Sequence, residues 1–205
     1  MNPFLIISYA TKNTPYEQIL DDYLLKSVRK QGLPYYTELI DDLGTWYKNT
    51  AYKPKFILET LDKFKDQCLV FIDADATIER YPDLFLEIPE YYDLGIHFLD
   101  RNKWYGHNET NNMELLSGTI FLRNNEHIRR LVRHWHEEAE RTQEWEQKAL
   151  QRVLKQHIDI NVSELPLSYC YIKTLPNGRE PLNKIDNPVI VHYQLSRQLK
   201  RRKYG

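Results

Sequence analysis

An α/β fold, built on a mixed but mostly parallel sheet with helices on its faces, is the class this sequence predicts. Three observations carry it. Short, fully apolar, β-rich runs alternate with helix-periodic stretches through the first third of the chain, the order that builds parallel strands with right-handed crossovers. The most apolar run, Cys68–Ile72 (CLVFI), stops abruptly at Asp73-Ala74-Asp75. The composition is that of a globular chain: 205 residues, 41% hydrophobic and 28% charged, enough to bury a core and too apolar for disorder.

Phe4–Tyr9 (FLIISY), bounded by Pro3 and the Asn13–Pro15 turn, reads as a buried strand. Tyr16, Ile19, Leu20, Tyr23, Leu24 and Val28 recur at helical spacing, and Gly32-Leu33-Pro34 ends that helix. Tyr35–Ile40 is the second strand. Pro54 suits the first turn of the next helix, whose apolar face is Ile57, Leu58, Leu61 and Phe64. Cys68–Ile72 is the third strand. Leu94–Phe98 and Met113–Leu122 follow as strands, then Glu126–Glu140 and Trp145–Lys155 as amphipathic helices. Val189–Val191 is a last short strand before His192. Residues 99–112, with Trp104, Tyr105 and His107, read as a long polar loop that either lids a site or covers the core. No repeat or linker divides the chain, so one domain over 1–205 is expected, with a basic tail at 196–205 holding five basic and no acidic residues.

Several function classes are set aside. The formal net charge is −1, so no global field draws the body of the protein to nucleic acid or membrane. Gly-rich phosphate loops of the GxGxxG or GxxxxGK[ST] type are absent. Cys68 and Cys170 sit in apolar contexts and read as reduced thiols, with no zinc-type spacing. No secretory leader and no apolar run long enough for a membrane span is seen, which leads to an expected cytoplasmic location.

Asp73 and Asp75 carry the chemistry. Residues i and i+2 of a strand face one side, so two carboxylates at a strand's end converge on one point. In open α/β sheets ligands bind beyond the carboxyl ends of the strands. Paired carboxylates there suit a hard divalent cation, able to neutralise a diphosphate leaving group. His192, after the last strand, offers an imidazole as a further ligand or a buried structural ring. Ser117-Gly118 is either a bulge or a place where small side chains let a sugar approach. Lys53 and Lys55 flank Pro54, where cations would oppose a helix dipole; a bound anion or plain solvation accounts for that, and Lys55 is carried as the candidate phosphate contact.

In this order, LVFIDADATI, LLSGTIFLRNN, EWEQKALQRVL and PVIVHYQLSRQLK resemble a glycosyltransferase of the GT-A fold, the nucleotide-diphospho-sugar transferase type. The resemblance spans nearly the whole chain. It implies a metal-dependent enzyme, with Mn²⁺ or Mg²⁺, moving a sugar from a nucleotide-diphosphate sugar, UDP favoured, to an acceptor hydroxyl. It puts Asp75 on the metal, Asp73 on the donor ribose or the metal, and His192 on the metal as third ligand. Ser117 and Gly118 would border the donor sugar. Glu146 and Gln147 would face sugar and acceptor as catalytic candidates, although related families often show Asp at the first of these. Tyr9, Ala10 and Thr11 would hold the nucleoside, and Arg197 and Lys200 the diphosphate. The acceptor (a glycan, a protein or a modified nucleic acid) and the oligomeric state stay open.

Two rivals share features. A haloacid-dehalogenase-type phosphohydrolase fits Phe71-Ile72-Asp73-Ala74-Asp75-Ala76-Thr77, with Asp73 as nucleophile, but that motif normally sits on the first strand and needs a later acidic metal motif. A non-catalytic nucleotide-sugar-binding module would bind donor without turnover.

Overall fold

The computed structural model describes residues 4–106, 108–110, 112–175, 178–196 and 199. Strand β1 (Phe4–Thr11) leads into α1, one helical stretch wound as α over Pro15–Ile19, as π over Leu20–Leu25 and as α again over Lys26–Lys30. Thr14 caps it, accepting from the Tyr16 N–H, and Pro15 takes the first turn, where its missing N–H costs nothing. Then come β2 (Tyr35–Ile40), α2 (Trp46–Lys63), β3 (Cys68–Ile72), β4 (Ala76–Ile78) and a single turn of helix, α3 (Leu84–Glu87). Strand β5 (Leu94–Asp100), the short helix α4 (Arg101–Tyr105) and β6 (Met113–Leu122) follow. Helices α5 (Glu126–Thr142) and α6 (Glu146–Leu154) precede β7 (Val162–Glu164), β8 (Tyr171–Ile172) and β9 (Ile190–His192).

Six strands form the main sheet in the order β2-β1-β3-β6-β5-β7. β1 pairs in parallel with β2 and β3, and β5 with β7; β6 alone runs against both its neighbours. Both faces are covered, which is why β1 and β3 read as continuous apolar runs rather than alternating ones. Ile7, Leu69 and Phe71 pack under α2, α5 and α6, whereas Ile6, Val70 and Ile72 pack against α1. A three-stranded sheet, β4-β9-β8, lies at the end of β3.

Two expectations need correction. Pro54 does not open α2; Thr45 does, its hydroxyl accepting from the Lys48 N–H at 3.2 Å. Pro54 is therefore mid-helix, and its missing N–H deprives the Thr50 carbonyl of its usual partner. The Tyr9 hydroxyl reaches that region, donating to Asn49 O at 2.7 Å and lying 3.4 Å from Thr50 O. The segment from 99 to 112 is also not one long loop. It holds the end of β5 and α4 and runs up to the start of β6 at Met113, and Trp104 is core, packed edge-on against Tyr171 at 5.8 Å. His107 lies outside the described residues.

Candidate active site

The end of β3 builds the site. Antiparallel register pairs Ile72 with Thr119, so the chain leaves the strand with Asp73 beside Gly118, whose carbonyl accepts from the Asp73 N–H at 2.9 Å. Three residues on, β4 begins, and Ala76 pairs with His192 of β9. That pairing places a residue from near the far end of the chain beside Asp73 and Asp75. Ligand atoms of Asp73, Asp75 and His192 all lie within 4.8 Å of one another.

The trio fits a hard divalent cation. Burial, then the Asp73 charge, pushes the Asp75 carboxyl up to about 6, despite the Leu195 N–H that donates to its Oδ2 at 2.7 Å. A nearby cation would relieve that strain on the ionised form. Burial first, and Lys53 second, push His192 down to about 3, so its imidazole is neutral and able to ligate. Its Nε2 shares a hydrogen bond with Thr119 Oγ1 at 2.9 Å. Two carboxylates and a neutral imidazole form a donor set able to hold a divalent cation.

A second cluster adjoins the first through Asp73. Lys53 is 4% exposed, and its Nζ lies 3.0 Å from Asp73 Oδ1, 2.6 Å from Glu146 Oε1 and 3.1 Å from the Ser117 carbonyl. Burial alone would lower the Lys53 pKa; Asp73 and Glu146 together outweigh it and hold the ammonium charged, with a raised pKa. Burial raises the Glu146 carboxyl against the opposing pull of Lys53. Both Glu146 oxygens are engaged: Oε1 accepts from Lys53 and from the Ser117 hydroxyl at 2.9 Å, and Oε2 accepts from the Gln147 N–H. Gln147 is likewise held, accepting from Ser117 N–H at 3.0 Å and donating to Glu114 at 2.9 Å.

Both clusters line one cavity of about 900 Å³. Tyr9, Ala10, Thr11, Ser117, Gly118, Glu146 and Gln147 line it with Asp73, Asp75 and His192. Burial, followed by the charges of Glu146 and Asp73, holds the Tyr9 phenol protonated. Gly118 has a steric reason to be glycine: a Cβ there would stand 2.8 Å from His192 Cε1 and 3.1 Å from Asp73 Oδ2. The small residue clears room for the protein's own imidazole and carboxylate.

Lys55 is the residue that does not arrive. It points away from the cavity, half exposed, 3.9 Å from Glu59 and over the Tyr52 ring. Because Pro54 is mid-helix, its two neighbours face different sides, and it is Lys53 that turns inward. Arg197 and Lys200 lie outside the described residues. Sequence reasoning also misses Thr119, which anchors the imidazole, and Gln194. The Gln194 backbone is left-handed (φ +54°), and its side-chain Oε1 is buried on the cavity wall with no hydrogen-bond partner among the described residues.

A family model for nucleotide-diphospho-sugar transferases matches residues 19–203. The chain belongs to that family. No curated protein sequence matches it. Among solved structures the transferase is similar to a glycosyltransferase involved in the glycosylation of the major capsid of PBCV-1, with 13% identity, a TM-score of 0.68 and 98% of each chain covered. It is also similar to mouse xyloside xylosyltransferase 1 in its apo form, with 10% identity, a TM-score of 0.57, and 94% of this chain and 98% of that chain covered. These likenesses establish the shared fold of the transferase, including its mixed sheet. No helix among the described residues is long and apolar enough to cross a membrane. Family membership displaces the phosphohydrolase reading of Asp73-Ala74-Asp75-Ala76-Thr77.

Proposed function

We propose that this chain, as one catalytic unit over 1–205, transfers a sugar from a nucleotide-diphosphate sugar, a UDP-sugar favoured, to an acceptor hydroxyl. The observation that carries the reading is the meeting, in one cavity, of the Asp73-Asp75-His192 trio and the buried Lys53–Glu146 pair. Asp73, Asp75 and His192 would hold Mn²⁺ or Mg²⁺, which when bound would supply positive charge to offset the negative charge building on a departing nucleoside diphosphate. Ala10 and Thr11 line the cavity beside α1 and Tyr9 lines it beside α2, and the three would receive the nucleoside. Lys53 fixes the orientation of Asp73 and Glu146 and keeps a permanent positive charge at the sugar end of the cavity, preorganised at no cost during the reaction.

Glu146 takes a positioning role. Three protein hydrogen bonds, two on Oε1 from Lys53 and Ser117 and one on Oε2 from the Gln147 N–H, fix the carboxylate at the sugar end of the cavity. With Glu146 orienting the sugar, the departing diphosphate would accept the proton of the acceptor hydroxyl, a course that would place acceptor and leaving group on one face and retain the anomeric configuration. Arg197 and Lys200 are proposed diphosphate contacts. Two unpaired cysteines accord with a cytoplasmic location.

The test is release of nucleoside diphosphate from a panel of UDP-, GDP- and ADP-sugars by the purified chain with Mn²⁺. Turnover that disappears in Asp75→Ala, with the circular dichroism spectrum unchanged, supports the reading. Unchanged turnover in that variant, or no turnover of any donor with or without candidate acceptors, overturns it.

A further inference from the structure

We propose that strand β2 is a homodimer interface: two copies of this chain pair their β2 edges antiparallel about a two-fold axis at Thr37, joining their main sheets into one. The inference does not rest on the transferase reading and adds a partner that the reading leaves open.

β2 closes one end of the main sheet. It runs for six residues with no lysine, proline or bulge, and keeps unbroken register with β1 from Tyr35 to Ile40. Edge strands of soluble proteins are ordinarily blunted by such devices or kept short; β7, at the opposite edge, has only three residues. The Pro34 carbonyl accepts from the Ile6 N–H at 3.1 Å, and the Ile40 carbonyl from the Lys12 N–H at 2.8 Å. Backbone groups of a strand alternate sides with period two, so Tyr36, Glu38 and Ile40 turn theirs to β1. Tyr35, Thr37 and Leu39 turn theirs outward, where no strand among the described residues meets them.

The pattern of side chains selects the register. With Thr37 on the axis all three outward residues are paired, Thr37 with Thr37 and Tyr35 with Leu39. With Tyr36 or Glu38 on the axis one of the three is left over. Glu38 on the axis would also set two carboxylates directly opposite in a non-hydrogen-bonded pair, where Cα atoms come to about 4.5 Å and like charges destabilise. Tyr35 and Leu39 lie 39% and 43% exposed, on the face that α1 covers, since their partners in register are Ile6 and Ala10. The Thr37 register covers both side chains in both copies.

The other face supplies a charge match. There Glu38 of one copy stands opposite Tyr36 of the second, and Lys63 Nζ lies 4.1 Å from the centroid of the Tyr36 ring. Within one copy neither Glu38 nor Lys63 has an ion-pair partner among the described residues. Pairing brings the carboxylate of each copy to the ammonium of the other. A second copy thus provides the backbone, apolar and charge matches from the same short segment, which selects it over an unrelated strand. The two cavities, at the carboxyl ends of β1 and β3, then open at opposite ends of the joined sheet.

Sedimentation velocity of the purified full chain over a concentration series should show a reversible monomer–dimer equilibrium. Thr37→Pro removes the outward N–H at the axis and spares the ladder to β1, and Leu39→Lys sets a charge opposite Tyr35; each should weaken dimerisation about tenfold or more, with the circular dichroism spectrum unchanged. Glu38→Lys should weaken it too, and adding Lys63→Glu should restore it. Crosslinking tests the register without those variants. In the proposed dimer the two Thr37 Cα atoms lie about 5.5 Å apart, within the span of a disulfide, whereas the two Tyr35 Cα atoms lie roughly 14 Å apart. Mild oxidation should give a reducible dimer with Thr37→Cys and none with Tyr35→Cys or with the wild type, whose own cysteines, Cys68 and Cys170, lie outside β2. A wild type that stays monomeric at every concentration, a dimer that Thr37→Pro and Leu39→Lys both leave at wild-type affinity, or crosslinking of Tyr35→Cys as readily as Thr37→Cys overturns the proposal.

Discussion

Gly118→Ala puts one methyl group where His192 and Asp73 nearly touch. Its Cβ would stand 2.8 Å from His192 Cε1, 3.0 Å from Nδ1 and 3.1 Å from Asp73 Oδ2. Carbon atoms at rest sit at about 3.5–4.0 Å, so the ring must retreat by roughly 0.7 Å. It has little freedom to do so, being tied to Thr119 Oγ1 at 2.9 Å and carried on a strand paired with β4. Asp73 is pinned from behind by Lys53 at 3.0 Å. Overpacking of this kind costs about 1–3 kcal/mol, a fall of roughly 2–12 °C in Tm for a chain of this length. Displacing one ligand of a metal trio should lower Mn²⁺ affinity by about 10- to 100-fold, the range seen when groups that orient ligands are lost. Gly95→Ala is the control, because its Cβ meets Phe121 Cβ at 2.9 Å and Leu165 at 3.2 Å, away from the site. Differential scanning fluorimetry and Mn²⁺ titration followed by electron paramagnetic resonance read the two effects. Both variants should lose stability and only Gly118→Ala should lose metal. Wild-type Mn²⁺ affinity in a folded Gly118→Ala would refute the steric reasoning.

Three further outcomes are expected. Lys53→Ala leaves Glu146 and Asp73 without their counter-charge and should cost about 3–5 kcal/mol and abolish donor turnover; Lys53→Ala/Glu146→Gln should regain much of the stability, whereas Lys55→Ala should change both by little, as seen by urea denaturation and kinetics. Asp75→Asn removes a carboxylate whose folded pKa, about 6, lies above its unfolded value. Such a group destabilises the metal-free fold progressively as pH rises from the unfolded to the folded pKa, so the variant's gain over wild type should be small below pH 4, grow between about pH 4 and 6, and level off at about 3 kcal/mol above that, while its Mn²⁺ response is lost. Gln194→Gly relieves a left-handed backbone at φ +54° and deletes an unpartnered buried carbonyl; Tm should rise by roughly 2–4 °C for about 1 kcal/mol gained, while affinity for the donor falls, as isothermal titration would show.

Much of the fold is legible in the sequence because its central strands are buried on both faces. Cys68–Ile72 announces itself by unbroken β-rich composition, and the edge strand Tyr35–Ile40, only partly buried, by its aromatic and β-branched content; both appear with the expected bounds. The short strands β4, β7 and β8 are invisible, since two or three residues carry no periodicity. The juxtaposition of His192 with the two aspartates depends on the β4–β9 pairing, so no local signal reveals it. Lys53 is hidden by Pro54: a proline inside a helix is rare enough to read as a helix start, which places its neighbours on the wrong turn. Only the tertiary fold shows the Tyr9 hydroxyl 3.4 Å from the Thr50 carbonyl that Pro54 leaves without its helical donor. Trp104 misleads in the opposite sense, a core residue set among polar neighbours in sequence.

Binding of UDP to the purified chain, by calorimetry with and without Mn²⁺, for the wild type and for Asp75→Ala and His192→Ala, addresses the core of the reading. UDP that binds the wild type tightly only with metal present, and loses that dependence in both variants, is the expected result. Equal UDP affinity with and without Mn²⁺, or variants that keep the wild-type metal response, would contradict it.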